Sequence, residues 1–221
     1  MNSPASQLQI HLQTEPEAQT QTQTQTQTQA LVIGGSAGSV GALLQLLPSL
    51  PGGCPLPVLI VVHLPPEDNG GLAGLLDSQC QITVKEAEDK EPVRPGVACL
   101  APADYHLLVE PDLSLSLSQD DPVYFSRPSI DVLFESAADA YGGGVAGVIL
   151  TGASADGARG LRAIHRAGGR TFVQDPATAE APIMPQAALQ ACPEACALPL
   201  EQLAQELRAL VRPAELHAQP S

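Results

Sequence analysis

The chain has 221 residues, with 24 acidic against 10 basic side chains, a formal net charge of -14 and no Trp. Nucleic-acid binding depends on basic side chains that displace phosphate counterions, so DNA and RNA are excluded as main partners. The aliphatic runs are far shorter than the ~20 residues of a membrane-spanning helix. No Lys or Arg precedes Lys85, so no secretory signal or transit peptide is predicted. We therefore expect a cytoplasmic protein without membrane insertion.

Composition divides the chain into three parts. Residues 1–29 end in a Gln-Thr alternation that offers no apolar face, so a disordered tail is predicted there. Residues 30–212 carry aliphatic runs broken by Gly and Pro, as expected of one domain with a substantial core. Residues 213–221 form a predicted C-terminal tail. The five cysteines contain no Cys-x-x-Cys pair, and neither a metal nor a cofactor is predicted.

Short Val/Ile/Leu runs alternate with helix-like segments along the domain. The runs lie at 30–33, 57–62, 144–150 and 171–173, with helices predicted near 40–47 and up to about residue 167. Runs that are apolar on both faces favour a parallel sheet covered on each side. The predicted fold class is α/β, a mainly parallel, doubly wound sheet with helices on both faces.

Two further regions have different patterns. The segments 97–102, 105–110 and 113–117 are short and partly alternating, which predicts an antiparallel edge ribbon. Leucines at helical spacing between 200 and 210 predict an amphipathic closing helix over 200–212.

Three polar residues come directly after predicted strands. Ser36 follows the first strand, His63 ends the second, and Asp156 lies just beyond the run at 144–150. In an open parallel sheet, reactive groups gather at the carboxyl ends of the strands. These residues are therefore candidates for a nucleophile, a general base and the carboxylate that orients the base.

The segment Gly34-Gly-Ser-Ala-Gly38 fits the Gly-x-Ser-x-Gly turn that exposes a nucleophilic serine, although a plain tight turn has the same composition. A dinucleotide-binding loop is less well supported, because no close Gly-x-Gly pair is present and His63 stands where an acid would bind ribose. An α/β-hydrolase would place its catalytic histidine after the acid. The histidine that follows Asp156 is His165, which lies inside a predicted helix, so this alternative is also less well supported.

Several collinear segments resemble the catalytic domain of the CheB-type chemotaxis protein-glutamate methylesterases. They are Ile33–Gly38, His63–Pro66, Arg94–Gly96 with Ala101–Pro102, Arg127–Phe134, Leu150–Gly152 with Asp156–Gly157, and Met184–Pro185 with Ala187. The resemblance covers about residues 30–189. It implies that Ser36, His63 and Asp156 form a catalytic triad.

The resemblance also implies an activity and a partner. Members hydrolyse γ-glutamyl methyl esters on the cytoplasmic helices of chemoreceptors, and some deamidate receptor glutamines. Backbone N–H groups near Ala37 and Ala153 are candidates for the oxyanion hole. Thr151 and Met184 are candidates for shaping the site, with a packing role equally open for each.

Two departures from the family pattern affect these expectations. Ser39 replaces a glycine of the family, which would narrow the backbone freedom close to the nucleophile. Many members also carry an N-terminal receiver domain, for which 29 polar residues are too few, so we expect no regulation by phosphorylation in cis.

Four arginines, at positions 159, 162, 166 and 170, recur every three or four residues. A solvated helix face explains this spacing, and a docking stripe for Glu-rich receptor helices is the sharper hypothesis. No feature of the sequence requires more than a monomer. A non-catalytic signalling scaffold with the same fold is the alternative to the enzyme.

Overall fold

The computed structural model describes residues 27–63 and 71–211. The predicted N-terminal tail is described only at residues 27–29, and the predicted C-terminal tail lies outside the described residues. The elements are β1 (Ala30–Gly35), α1 (Ser39–Leu46), β2 (Val58–Val62), α2 (Gly71–Asp77), β3 (Thr83–Glu86), β4 (Val97–Leu100), β5 (His106–Val109), β6 (Leu115–Ser118), α3 (Ile130–Tyr141), β7 (Val145–Ile149), α4 (Ala158–Arg166), β8 (Arg170–Gln174), α5 (Ile183–Ala191), β9 (Cys196–Leu198) and α6 (Leu200–Leu210).

Seven of the described strands form one parallel sheet in the order β3-β4-β2-β1-β7-β8-β9. The chain builds outward from β1 through β2, and later returns to place β7 on the other side of β1. The strand order therefore reverses between β1 and β7, which is where open α/β sheets bind ligands. The prediction of a mainly parallel α/β fold is confirmed.

Side chains alternate across the sheet and separate two apolar layers. Leu31 and Ile33 belong to the layer formed with α1, α2 and α6, whereas Val32 belongs to the layer formed with α3, α4, α5 and the β5-β6 pair. All residues of β1, β2 and β7 are buried, which explains why these strands are continuous aliphatic runs. The closing helix α6 buries Leu203 and Leu207 in the first layer, as predicted.

The predicted ribbon is confirmed for two of its three segments. β5 and β6 pair antiparallel as a separate two-stranded sheet. The assignment of 97–102 to that ribbon is wrong, because β4 lies between β2 and β3 and pairs in parallel with both. Four residues are too few for an alternating pattern to separate an interior strand from a ribbon.

Candidate functional site

The carboxyl ends of β1 and β2 bring Ser36 and His63 side by side. Gly35 pairs with Val62 in the parallel register, so Ser36 and His63 are the next residues on adjacent strands. The His63 backbone N–H donates to the Gly35 carbonyl over 3.1 Å. The structure records no hydrogen bond between the Ser36 hydroxyl and His63 among the residues it describes.

The turn after Ser36 is stabilised by the backbone conformation of Gly38 and by hydrogen bonds from Ser39. Gly38 has φ of 78°, in the left-handed region that favours glycine. Ser39 is the first residue of α1 and is fully buried, and its N–H and hydroxyl both donate to the Ser36 carbonyl over 2.9 and 2.6 Å. Because Ser39 is the first residue of a helix, its backbone conformation does not require glycine.

His63 and Asp156 are joined by a hydrogen bond of 2.8 Å between Nε2 and Oδ2. The two side chains are 11% and 0% exposed, respectively. A carboxylate has no proton to donate, so the His63 Nε2 carries a hydrogen, and in the neutral ring Nδ1 is the nitrogen with the lone pair. Nδ1 lies 3.4 Å from the Ser126 hydroxyl. In the neutral ring, Asp156 therefore favours the tautomer with hydrogen on Nε2 and the lone pair on Nδ1.

Asp156 lies at the N-terminus of α3, where it accepts three further hydrogen bonds. Oδ1 accepts from the Ser129 hydroxyl at 2.8 Å and from the Asp131 N–H at 3.0 Å, and Oδ2 accepts from the Ile130 N–H at 2.7 Å. Burial alone would raise the pKa of Asp156, but these bonds and the one from His63 hold the pKa below its ordinary value. Asp156 thus remains ionised despite complete burial.

Thr151 and Met184 connect the end of β7 to the turn that carries Ser36. The Ser36 N–H donates to the Thr151 carbonyl over 2.9 Å, and the Thr151 hydroxyl donates to the Ala37 carbonyl over 2.9 Å. Buried Met184 packs so closely on Gly152 that a Cβ there would lie 2.7 Å from the Met184 sulfur. Thr151 therefore supports the backbone around Ser36, whereas Met184 packs on Gly152, the residue that follows Thr151.

The two predicted oxyanion donors lie on either side of this support. Ala37 and Ala153 are exposed, and neither backbone N–H has a hydrogen-bond acceptor within residues 27–63 and 71–211. By contrast, the neighbouring Gly152 N–H donates to the Ala181 carbonyl. Within the described residues, neither of these two N–H groups is therefore occupied by a hydrogen bond.

A cleft of about 260 Å³ opens beside His63. It is lined by His63, Asp104, Pro122, Phe125, Ser126, Arg127 and Pro128. The Arg127 guanidinium donates to the Asp104 carboxylate at 2.7 Å and to the carbonyls of Gln119 and Asp120. Arg127 thus fixes the loop that forms one wall, while the Phe125 side chain is fully exposed at its rim.

A second buried carboxyl, which the sequence analysis missed, lies behind Asp156. Asp131 accepts from the Gly160 N–H over 2.7 Å, while its Oδ2 is buried without a hydrogen bond among the described residues and lies 3.7 Å from the Arg159 Nε. Burial, opposed by the Gly160 bond and reinforced by the charge of Asp156, raises the pKa of Asp131 to about 6. An acidic residue inside an otherwise apolar helix face was the available signal.

A serine beside a hydrogen-bonded His–Asp pair, presented at the edge of a parallel sheet, is an arrangement that serine hydrolases use. The chain belongs to the CheB methylesterase family, whose sequence profile matches residues 31–207. The match extends about 18 residues beyond the region of resemblance recognised in the sequence. It includes most of α6.

Relatives and a solved structure agree with this membership. A Leptospira interrogans protein, whose name gives it protein-glutamate methylesterase and protein-glutamine glutaminase activities, is 46% identical over 176 residues. The match covers 80% of this chain and 91% of that protein. The protein-glutamate methylesterase/protein-glutamine glutaminase of Symbiobacterium thermophilum is 39% identical, but the match covers only 48% of its length. The chain thus spans about half the length of some relatives.

The Thermotoga maritima CheB methylesterase catalytic domain has the same fold. Its crystal structure superposes with a TM-score of 0.79 at 34% identity, covering 84% of this chain and 100% of that chain. No helix of the described residues is long and apolar enough to cross a membrane.

Proposed function

We propose that this protein hydrolyses methyl esters of glutamate side chains on chemoreceptors, with release of methanol. The observation that carries the proposal is the His63–Asp156 pair at the strand end next to Ser36. Family membership and the names of the relatives support this activity. The same names support a second reaction, in which a receptor glutamine is hydrolysed to glutamate and ammonia is released.

In the proposed mechanism Ser36 is the nucleophile. Its hydroxyl rotates toward His63, and Nδ1 accepts the proton as the oxygen attacks the ester carbonyl. The Nε2–H bond to Asp156 stabilises the imidazolium that forms. The imidazolium then returns the proton to the methoxide leaving group, which departs as methanol.

Water resolves the acyl-enzyme by the reverse sequence. His63 Nδ1 accepts a proton from the water as it attacks the acyl carbon, and the C–O bond to Ser36 breaks as the serine hydroxyl is reprotonated. Ala37 and Ala153 are the proposed oxyanion donors, since their N–H groups lack other acceptors among the described residues. Each such donor contributes roughly 100-fold or more to the rate in comparable sites.

Ser126 is the competing nucleophile, because its hydroxyl lies 3.4 Å from the His63 Nδ1. Ser36 is favoured because it precedes helix α1, whose backbone surroundings suit a developing oxyanion. A fluorophosphonate probe distinguishes the two serines. We expect labelling of the wild type and of Ser126→Ala but not of Ser36→Ala, with methanol release from methylated receptor following the same order.

The opposite order of the two variants would assign the nucleophile to Ser126. No Ser36-dependent labelling, together with no methanol release by the wild type, would leave the non-catalytic scaffold. Ammonia release from an unmethylated receptor with a glutamine at the site tests deamidation separately.

The proposed partners are the cytoplasmic helices of methylated chemoreceptors. Of the four arginines predicted as a docking stripe, we propose that only two contact the receptor. Arg159 is bound to Glu135 at 2.6 Å, and Arg170 is bound to Glu206 and lies over the Phe172 ring. The other two, Arg162 and Arg166, are exposed and make no ion pair within the described part of the chain.

Charge reversal tests this docking surface. Arg162→Glu with Arg166→Glu should weaken receptor binding while hydrolysis of a small ester is unchanged. Arg208→Glu, on α6 at the opposite face of the sheet, is the control. Equal receptor binding by the double variant and the control would exclude the surface. We also propose that the protein is cytoplasmic and monomeric. Light scattering of the purified chain tests its oligomeric state.

A further inference from the structure

A second histidine, His106, contacts the segment that leads into α3. It is the first residue of β5, its side chain is 2% exposed, and both of its ring nitrogens are hydrogen-bonded. The Ser129 N–H donates to Nδ1 over 3.1 Å, and Nε2 lies 3.2 Å from the Asp121 carbonyl oxygen. A carbonyl only accepts and an N–H only donates, so His106 is a neutral imidazole with its hydrogen on Nε2.

Ser129 links His106 to the carboxylate of the candidate site. It is the fully buried N-cap residue of α3, with extended backbone, and its hydroxyl donates to the Asp156 Oδ1. The Ser129 N–H makes its hydrogen bond to His106. One ring nitrogen of His106 therefore holds the residue that, in turn, orients the partner of His63.

The geometry points to His106 as a positioning residue of the hydrolase: through Ser129 it fixes the Asp156 carboxylate opposite the His63 imidazole. His106 is only 2% exposed, so it acts on the orientation of the triad and not through contact with the substrate. The kinetic test of this inference rests on the proposed function. The tautomers of His106 and His63 can be measured whether or not the protein is active.

Two substitutions separate the hydrogen bond from packing. In His106→Asn, the amide oxygen takes the place of Nδ1 and can still accept from the Ser129 N–H. In His106→Gln, the side chain is closer to histidine in size and can still reach Asp121, but the acceptor at the Nδ1 position is lost. A purely structural role would favour Gln, whereas the positioning role favours Asn.

We expect Gln at position 106 to lower kcat roughly 10- to 100-fold, the range seen when an outer hydrogen-bond partner is lost or a reacting group is misplaced by about 1 Å. Asn should recover most of that loss, and KM should stay unchanged in both. Combining His106→Gln with Ser129→Ala should cost less than the sum of the single effects, because both act through one contact. A kcat for Gln equal to or above that for Asn would overturn the inference.

Nitrogen-15 NMR of the histidine rings gives a test that does not require activity. In the wild type, His106 should be the neutral tautomer with hydrogen on Nε2, and His63 should be held in its Nε2–H tautomer at a pH where it is neutral. The Gln variant should populate both His63 tautomers, while the Asn variant should resemble the wild type. A protonated His106 at neutral pH, or unchanged His63 signals in the Gln variant, would refute the role even if the protein had another activity.

Discussion

Replacing Asp156 with Asn tests the His63–Asp156 hydrogen bond, because the amide keeps the shape of the carboxylate but replaces one acceptor oxygen with an NH₂ donor. The carboxylate accepts four hydrogen bonds, from His63, Ser129, Ile130 and Asp131. An amide offers one acceptor oxygen and one NH₂ donor. In either orientation, the NH₂ group therefore faces a backbone N–H of helix α3.

The two orientations have different effects on His63. With NH₂ at the Oδ2 position, Nε2 must accept, so the hydrogen moves to Nδ1 and the proposed base is blocked. A change of this kind in a serine-protease triad lowers kcat on the order of 10⁴-fold, and we expect at least 10³-fold here. With NH₂ at the Oδ1 position, the Ser129 hydroxyl can rotate to accept, but the Asp131 N–H is left facing a donor.

The free energy of unfolding should also fall. One buried N–H without an acceptor costs about 1–3 kcal/mol, and losing a negative charge at a helix N-terminus costs up to about 2 kcal/mol. Relief of carboxylate burial offsets part of this, so we expect a net loss of about 1–3 kcal/mol at pH 7. The folded-state pKa of Asp156 is below its ordinary value. Its stabilising contribution is therefore present above about pH 4 and is lost as the pH falls through that lowered pKa.

The assay combines methanol release from methylated receptor with urea unfolding at pH 7 and in acid. Ser129→Ala is the matched control, since it removes one of the four bonds but keeps the His63–Asp156 pair. Retention of more than a thousandth of the wild-type kcat in Asp156→Asn would refute the claim that the amide turns its NH₂ group toward His63 and blocks Nδ1. A loss of stability that does not narrow in acid would refute the assignment of that loss to the carboxylate.

Three other substitutions test parts of the structure around the triad. Asp131→Asn should stabilise the protein by about 1–3 kcal/mol at pH 7. The folded-state pKa of Asp131 is about 6, above its ordinary value, so ionisation of this carboxyl lowers the free energy of unfolding as the pH rises from about 4 to 6. An equal stabilisation in urea unfolding at pH 4 would contradict this. Gly38→Ala places a Cβ 2.8 Å from that of Glu180 at φ of 78°, so we expect a loss of about 1–3 kcal/mol and a lower kcat, whereas an unchanged melting temperature would argue against strain. Arg127→Gln should raise KM with little change in kcat, since Arg127 holds the cleft wall through Asp104; unchanged KM would show that the wall does not need this contact.

Much of the candidate site follows from local patterns. A buried parallel strand is a continuous aliphatic run, and its end is marked by the first polar or glycine residue, which is how Ser36 and His63 were found. The prediction for β4 failed for a related reason. Its four residues are too few to reveal a period, and only its pairing with β2 and β3 makes it an interior strand.

Other buried polar residues, whose contacts no local pattern indicates, act between distant segments of the chain. Ser129 precedes a helix, which is a common cap position, but nothing local indicates that its hydroxyl would bind Asp156 instead of its own helix. His106 is one histidine in a short strand, and its partner is 23 residues away. Asp131 becomes a second buried carboxyl only because α3 packs against the start of α4.

The sequence by itself determined the α/β class, the three candidate residues and the strands that precede them, because side-chain periodicity and glycine turns are properties of neighbouring residues. Only the tertiary structure decided how those residues are oriented. His63 and Asp156 are 93 residues apart, and the nitrogen that faces Asp156 depends on where α3 directs its first N–H groups. The choice of Nδ1 as the proposed base is therefore a consequence of packing, since hydrogen bonds across the sheet edge fix a tautomer that no local pattern encodes.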